Sequence, residues 1–264
     1  MTIKLSLQHE NKILAEASAT NNTYLAWRSQ YTLGDYYQVE VEKAPVYLVV
    51  QLDAAIRPAL IYLTERNWTY RLPFNLQREW PYPDGAFLGK NHYATVRVAT
   101  AAEIASQTNL SVNSYDQHEA SAAYPHASSN AETRGETVFY AKNAIDGLVA
   151  NESHGNYPFQ SWGINEQHDA YLQLDFGRTV EVNQLGIVLR ADYPHDSYWK
   201  KITVDFSDGS HETITLQKLA TEQFFEIKPR QIKGLRLDHL QKDEDSSTFP
   251  ALTEIEVFGQ NIEQ

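Results

Sequence analysis

Alternation of apolar and polar residues, the pattern of a half-buried β-strand, recurs along most of the chain and is clear at Tyr171–Phe176. Val46–Asp53 is instead a nearly continuous apolar run, which favours a strand buried on both faces. Only Thr100–Ser106 has a helical start signal, because Thr100 precedes Glu103 by three residues as in a capping box. The pattern therefore predicts an all-β fold.

In the second half of the chain, short strands follow one another at near-regular spacing, which predicts a β-sandwich or jelly roll. Turns are predicted at Gly177-Arg178, Ser207–Gly209 and Lys228-Pro229. The helical turn marks the predicted seam between residues 1–106, a smaller all-β domain also expected to be a sandwich, and residues 107–264. The strands predicted in this half are Tyr171–Phe176, Gln184–Ala191, Lys201–Phe206, Glu212–Leu216, Gln223–Ile227, Ile232–Leu240 and Thr253–Phe258.

Composition supports a folded core and removes several kinds of chemistry. Of the 264 residues, 42% are hydrophobic and 12% aromatic, which is enough to bury a core. There is no cysteine, so disulfides, thiolate metal sites and a cysteine nucleophile are excluded. The first twenty residues lack the apolar segment of a signal peptide, and no run approaches the roughly 20 apolar residues of a membrane span. With Met1 as the native start, we expect a cytoplasmic protein.

The net charge of −12 is unevenly distributed. Residues 1–106 hold ten basic and ten acidic side chains, whereas residues 107–264 hold twelve basic and twenty-four acidic ones. An acidic second domain repels nucleic acid and anionic lipid, so neither is expected as a partner. It is compatible with a neutral ligand and with a bound divalent cation. Nothing in the pattern indicates the oligomeric state.

Six pieces of residues 107–264, in order, are similar to discoidin or coagulation-factor type C domains. This family belongs to the galactose-binding-like jelly rolls and includes the family 32 carbohydrate-binding modules. The resemblance implies a galactose-binding-like jelly roll whose loops at one end bind a ligand. The matching pieces are Asn109-Leu110, Asn143–Gly147 (NAIDG), a core tryptophan at Trp162, Tyr171–Gly177 (YLQLDFG), Thr203–Gly209 (TVDFSDG) and Leu252–Gly259 (LTEIEVFG).

The same resemblance implies a structural calcium ion beside the Asp-Gly turn. Its ligands would be the carbonyls of Asn143 and Thr253 and the carboxylates of Asp146 and Glu254, oxygen donors of the kind that Ca²⁺ prefers. The chain departs from the family by an insertion at residues 150–160, so the family's further ligands have no counterpart here. The alternative is that Asp146 only closes a turn and that Glu254 is a surface strand residue.

A second dense cluster follows the predicted strand at Gln184–Ala191 and suggests a carbohydrate site. Arginine and aspartate bind vicinal hydroxyls, and an aromatic ring stacks on the sugar. The structural alternative is that Arg190 pairs with an aspartate and that Trp199 is a core residue. The predicted ligand-binding residues are Arg190, Asp192, Tyr193, His195, Asp196 and Trp199, with His154 from the insertion.

We therefore expect non-catalytic carbohydrate binding by the second domain. Two alternatives stay open: a carbohydrate-active hydrolase or lyase with a site between the domains, and a protein–protein interaction module. The enzyme is less favoured because the chain has no His-Glu-x-x-His metal motif, no Gly-x-Ser-x-Gly elbow and no glycine-rich phosphate loop.

Overall fold

The computed structural model describes residues 1–152, 155–191 and 197–262. Antiparallel strands dominate these residues, so the all-β prediction is confirmed. The predicted capping box is also confirmed: the Glu103 amide donates to Thr100 Oγ1 (3.3 Å), and the Thr100 amide donates to Glu103 Oε2 (2.8 Å). In the described part, no helix has the length and apolar character needed to cross a membrane.

The strands are numbered in chain order. Within the described residues they are β1 (Thr2–His9), β2 (Lys12–Thr20), β3 (Asn22–Trp27), β4 (Asp35–Val41), β5 (Val46–Gln51), β6 (Ala59–Leu63), β7 (Asn67–Arg71), β8 (His92–Val98), β9 (Thr108–Asn109), β10 (Ala123–Tyr124), β11 (His126–Ser129), β12 (Trp162–Gly163), β13 (Leu172–Leu189), β14 (Trp199–Phe206), β15 (His211–Thr215), β16 (Gln223–Lys242) and β17 (Ala251–Asn261). The α-helices are α1 (Leu76–Glu79) and α2 (Ala101–Ala105), and 3-10 turns occupy Thr133–Gly135, Thr137–Phe139 and Ala141–Ile145.

The first sandwich consists of two sheets, with strand orders β2-β1-β4-β7 and β10-β6-β5-β8-β3. Alternate residues of the facing strands point inward, as in Ile3, Leu5 and Leu7 of β1 and Leu48 and Val50 of β5, and all five are buried. The two sheets therefore enclose one apolar core, as the alternation in the sequence requires.

The second sandwich is built from one continuous sheet with the order β12-β17-β13-β16-β14-β15. Its strands surround a separate core that contains Trp162, which is fully buried and donates from Nε1 to the Ala131 carbonyl (2.9 Å). The core position expected for Trp162 is confirmed. Strand β11 pairs with β13, and β9 pairs with β17.

Two turn predictions in this sandwich are wrong. Gly177-Arg178 and Lys228-Pro229 do not reverse the chain, because each lies inside a single long strand, β13 or β16. The register between β13 and β16 shifts from Asp175 to Val180 and again from Val182 to Gln184. The extra residues form bulges that bend the strands while the ladder continues on either side. These bends let one sheet wrap around its core.

The segment after α2 packs against the first sandwich before the second begins. Tyr115 is buried in the first core, with its hydroxyl 3.4 Å from the Asp53 carbonyl, and β10 pairs with β6. The domain boundary between residues 106 and 107 stays a prediction. The two sandwiches share this segment.

Arg178, at the bulge of β13, also joins the sandwiches. Its guanidinium is buried and lies over the rings of Tyr47 (5.2 Å) and Tyr62 (5.4 Å) from the first sandwich. It donates to the Phe176 carbonyl (2.8 Å) and to Asn261 Oδ1 (2.7 Å). A buried cation held between two rings and two oxygens fixes how the sandwiches meet.

Replacing Arg178 with methionine should lower the free energy of unfolding by about 2–4 kcal/mol, because it removes a desolvated cation–π contact and two charge-assisted hydrogen bonds. Denaturant unfolding followed by tryptophan fluorescence measures the loss. The control is Arg236→Met, since Arg236 lies over Tyr171 (3.4 Å) within the second sandwich. The expectation is that only Arg178→Met makes the first sandwich unfold more easily; equal profiles for the two variants would contradict it.

Candidate functional site

The end of the insertion and the end of β13 meet in the second sandwich. The insertion at residues 150–160 lies beside the end of β13, where the Arg190 amide donates to the Ala251 carbonyl (3.0 Å). The buried Arg190 guanidinium donates from Nη1 to the Phe159 carbonyl (2.9 Å) and lies 5.9 Å from the Phe159 ring centroid. Arg190 therefore ties the insertion to the strand that leads into the loop at 190–198.

The structure corrects the roles predicted for Arg190 and Trp199. Neither side chain reaches the surface, because the exposed fraction is 0% for Arg190 and 1% for Trp199. Trp199 packs in the core with its ring centroid 5.9 Å from that of Trp162. Arg190 therefore serves as an anchor between loops and Trp199 as a core residue, which is the structural alternative that the sequence left open.

The other predicted ligand-binding residues, His154, Asp192, Tyr193, His195 and Asp196, lie outside the described residues. They stay predictions. The described parts of both loops are attached to the sandwich around them. Ser197 Oγ donates to Asp245 Oδ2 (3.1 Å), and Asn151 donates to the Thr253 hydroxyl.

The carboxylates of Asp146 and Glu254, two of the predicted calcium ligands, lie together at the Asp-Gly turn. Asp146 Oδ1 accepts from the Leu148 amide (2.8 Å), and Glu254 Oε1 accepts from the Gly147 amide (3.0 Å). Gln160 at the end of the insertion donates to Asp146 Oδ2 (3.3 Å). The turn, the insertion and the start of β17 therefore meet at these two carboxylates.

Asn143 and Thr253, the other predicted calcium ligands, are buried nearby. The Asn143 amide group donates to the Thr137 carbonyl (2.9 Å), which fixes the 3-10 turn before Asp146. Thr253 directly precedes Glu254 on β17. Glu254 is not a surface strand residue, since its exposed fraction is 0%.

Electrostatics at this pair favour the protonated carboxyls when no cation is present. Burial raises the pKa of Asp146 to about 7, and hydrogen bonds from Leu148 and Gln160 offset only part of the effect. Burial also raises the pKa of Glu254 well above its ordinary range, and the nearby charge of Asp146 adds to the rise. Arg57 of the first sandwich, whose Nη1 lies 3.3 Å from the Gly147 carbonyl, acts in the opposite direction on both.

The residues present fit a hard divalent cation. Glu254 Oε2 is buried and has no hydrogen-bond donor among the described residues, so one carboxylate oxygen is left for a ligand. The described residues hold no cluster of three or more histidine, aspartate or glutamate side chains suited to a metal. A cation here would therefore need carbonyl oxygens to complete its coordination, as Ca²⁺ often does.

A cleft of about 710 Å³ between the two sandwiches was not predicted from the sequence. It lies between β7 and residues 116–122, and the 3-10 turns at 137–142 form its floor. Polar side chains dominate its walls. The sequence signal was weak, because Trp68 and Tyr70 of β7 are core residues and the outward residues are ordinary sheet residues.

No protein-family model and no curated protein matches the chain. Among solved structures, it is similar to a chitosan-binding module derived from a chitosanase/glucanase of Paenibacillus sp. IK-5, with 17% identity and a TM-score of 0.40 over 57% of this chain and 98% of that one. It is similar to a fucose-binding module of Streptococcus pneumoniae, with 16% identity and a TM-score of 0.42 over 58% of this chain and 99% of that one.

It is also similar to the family 32 carbohydrate-binding module of C. perfringens NanJ, solved in complex with galactose. The identity is 17% and the TM-score 0.38, over 50% of this chain and 91% of that one. That family is one that residues 107–264 resemble in sequence.

The raised carboxyl pKa values predict a pH dependence for the chelator-treated protein. In the unfolded chain both groups ionise near pH 4, whereas the folded protein keeps a proton on the pair up to about pH 7. The folded state therefore binds more protons between these values, so the free energy of unfolding should fall as pH rises from 4 to 7. Urea unfolding in EDTA at several pH values measures the slope.

Glu254→Gln should flatten this slope, because one carboxylate can then ionise without a charged neighbour. The control is Asp208→Asn, since Asp208 caps an exposed turn and its pKa is lowered by hydrogen bonds from Ser210. A slope unchanged by Glu254→Gln would show that the pair does not control stability in this range.

Proposed function

We propose that the second sandwich binds a carbohydrate, without catalysing a reaction on it, through the loops at residues 150–160 and 190–198. The observation that carries the proposal is the hydrogen bond from buried Arg190 to the Phe159 carbonyl. It holds the insertion, at Phe159, against the end of β13, from which the loop at 190–198 continues, and both loops are rich in sugar-binding types of side chain. Binding residues concentrate on loops supported in this way.

The chemistry of the two loops supports the proposal. Asp192 and Asp196 supply acceptors for sugar hydroxyls, and His154 and His195 supply a donor or an acceptor. Because Trp199 is a core residue, stacking on the sugar ring falls to Tyr193. A site for one sugar unit buries little surface, so the expected affinity is on the order of micromolar to millimolar.

Asp192→Ala and His195→Ala should each weaken binding of a glycan-array hit about tenfold or more, because each removes a hydrogen bond to a hydroxyl. Titration calorimetry with the free sugar measures the affinity. The matched control is Asp208→Asn. Asp208 follows the far end of β14, so it lies away from the loop at 190–198 and should leave the affinity unchanged.

Three outcomes would overturn this proposal. A glycan array without hits would exclude carbohydrate as the ligand. Conversion of a bound oligosaccharide to products, detected by chromatography, would replace a binding module by an enzyme. Equal losses in Asp192→Ala and in the Asp208→Asn control would move the site away from these loops.

We also propose that Asp146 and Glu254 hold a calcium ion, with the Asn143 and Thr253 carbonyls as further ligands. Two observations support the proposal: Glu254 Oε2 has no hydrogen-bond partner in the described part of the chain, and the two neighbouring carboxyls are buried. Calcium would stabilise the ionised form of the pair and so brace the turn against the start of β17. Its role would be structural, since it would hold the base of the insertion in place.

Calcium at about 100 times its Kd should add about 2.7 kcal/mol to the free energy of unfolding, which raises the Tm of a chain of this size by roughly 5–10 °C. Thermal melts with EDTA and with calcium measure the difference. Glu254→Gln should abolish it, whereas Glu244→Gln, whose side chain is 94% exposed, should retain it. Identical melts of the unmutated protein in EDTA and in calcium would sink the idea.

A further inference from the structure

Strand β7 forms one edge of the four-stranded sheet, and in the described residues its only strand neighbour is β4. The Leu72 amide donates to the Asp35 carbonyl, and the Val41 amide donates to the Arg66 carbonyl. Alternate residues of an antiparallel strand point their amide and carbonyl groups to the same side. Residues 66, 68, 70 and 72 therefore face β4, and the backbone groups of residues 67, 69 and 71 face away from the sheet.

The outward backbone groups face the cleft of about 710 Å³. Residues 117–122 form the opposite wall and run antiparallel to β7. They are hydrogen-bonded to the segment that contains β7 at both of its ends: the Thr64 amide donates to the Ala122 carbonyl (2.9 Å), and the Arg71 amide donates to Gln117 Oε1 (3.4 Å). Between these contacts, no hydrogen bond joins the wall to β7 in the part of the chain that is described.

An edge strand with free amide and carbonyl groups is a template for another strand, and proteins usually cover such edges. Here the cover is partial. Gln117 Oε1 takes the place that the carbonyl of a neighbouring strand would have. It accepts one long hydrogen bond, from the amide of Arg71. Among the described residues, no hydrogen bond involves the backbone amides and carbonyls of Asn67 and Thr69.

The side chains around the cleft favour a peptide over a sugar as its occupant. Five aromatic side chains line it, and two of them, Trp68 and Tyr70, are buried in the first core. Two others are already partly covered, because Lys142 Nζ lies 5.0 Å over the Tyr82 ring and His118 stacks on Tyr140 at 4.1 Å. Less aromatic surface is left for stacking on a sugar. An extended peptide instead offers amides and carbonyls at the same spacing as those of β7.

Charge gives a peptide bound antiparallel to β7 a sequence preference. Arg71 lies at the Gln117 end of the cleft, and Glu65 lies next to Thr64 at the other end. A peptide that pairs antiparallel to β7 has its N-terminal half beside Arg71 and its C-terminal half beside Glu65. An acidic residue in the first half and a basic residue in the second half would complement these charges.

We propose that the cleft binds an extended peptide by β-augmentation, with residues 67, 69 and 71 of β7 as its hydrogen-bonding edge. The site is distinct from the carbohydrate site proposed at the loops of the second sandwich, and neither depends on the other.

The test begins with a display library of random heptapeptides selected on the intact protein. Enriched peptides should carry an acidic residue near the N-terminus and a basic one near the C-terminus. Thr69→Pro should weaken their binding at least tenfold, because proline removes the amide that faces the cleft while leaving the bonds to β4. Fluorescence anisotropy with the synthesised peptides measures the affinity.

Thr69→Val is the matched control, since it loses the same hydroxyl, which donates to Gln38, but keeps the amide. It should bind within about twofold of the unmutated protein, and equal thermal melts of the two variants verify folding. Methylation of alternate peptide nitrogens should weaken binding as strongly as Thr69→Pro.

Three results would overturn the proposal. The first is a library without enrichment over the Thr69→Pro variant. The second is equal affinity of both variants for an enriched peptide. The third is an oligosaccharide that perturbs the Thr69 amide resonance when no peptide does, which would make the cleft a sugar site. Glycan-array binding at the other loops is measured separately, so either proposal can fail alone.

Discussion

Two carboxyl groups, Asp146 and Glu254, lie together in a place where water cannot solvate both, and much of the fold around them compensates for this burial. The turn gives the amides of Gly147 and Leu148, the insertion gives Gln160, and the first sandwich approaches with Arg57. A strand, a loop and a neighbouring sandwich thus all contribute to the surroundings of this one pair. A bound cation would satisfy the same constraint more completely.

Much of the fold could be predicted from the sequence, because its strands show local alternation and its one clear helix carries a local cap. The bulges of β13 and β16 could not be predicted in this way. Gly177 and Pro229 are turn residues by chemistry, but whether the chain reverses depends on the partner strand, which continues pairing on both sides. Local turn signals therefore mark where a ladder is interrupted, and the long-range register decides whether it ends.

The same difference between local signals and long-range contacts decides which parts of the candidate sites could be predicted. The Asp146–Glu254 pair was predicted because a family resemblance supplied the long-range contact between residues 108 positions apart. Arg190 was assigned to a ligand because its neighbours in sequence are polar, yet the Phe159 carbonyl in a distant loop decides its orientation. The cleft beside β7 had no local signal, since three segments between residues 64 and 142 form it only after the sandwiches meet.

The junction also changes how the first sandwich should be understood. A domain that served only as a spacer would need few contacts with the second sandwich. The first sandwich instead holds Arg178 between two tyrosine rings, and its Arg57 reaches the Asp-Gly turn. The turn adjoins the insertion, and the insertion adjoins the loop at 190–198 through Arg190. Contacts therefore run from the first sandwich through the Asp-Gly turn and the end of the insertion to Arg190 at the end of β13. Residues 117–122, in the segment that packs against the first sandwich before the second begins, form one wall of the cleft, so the cleft too depends on how the two sandwiches meet.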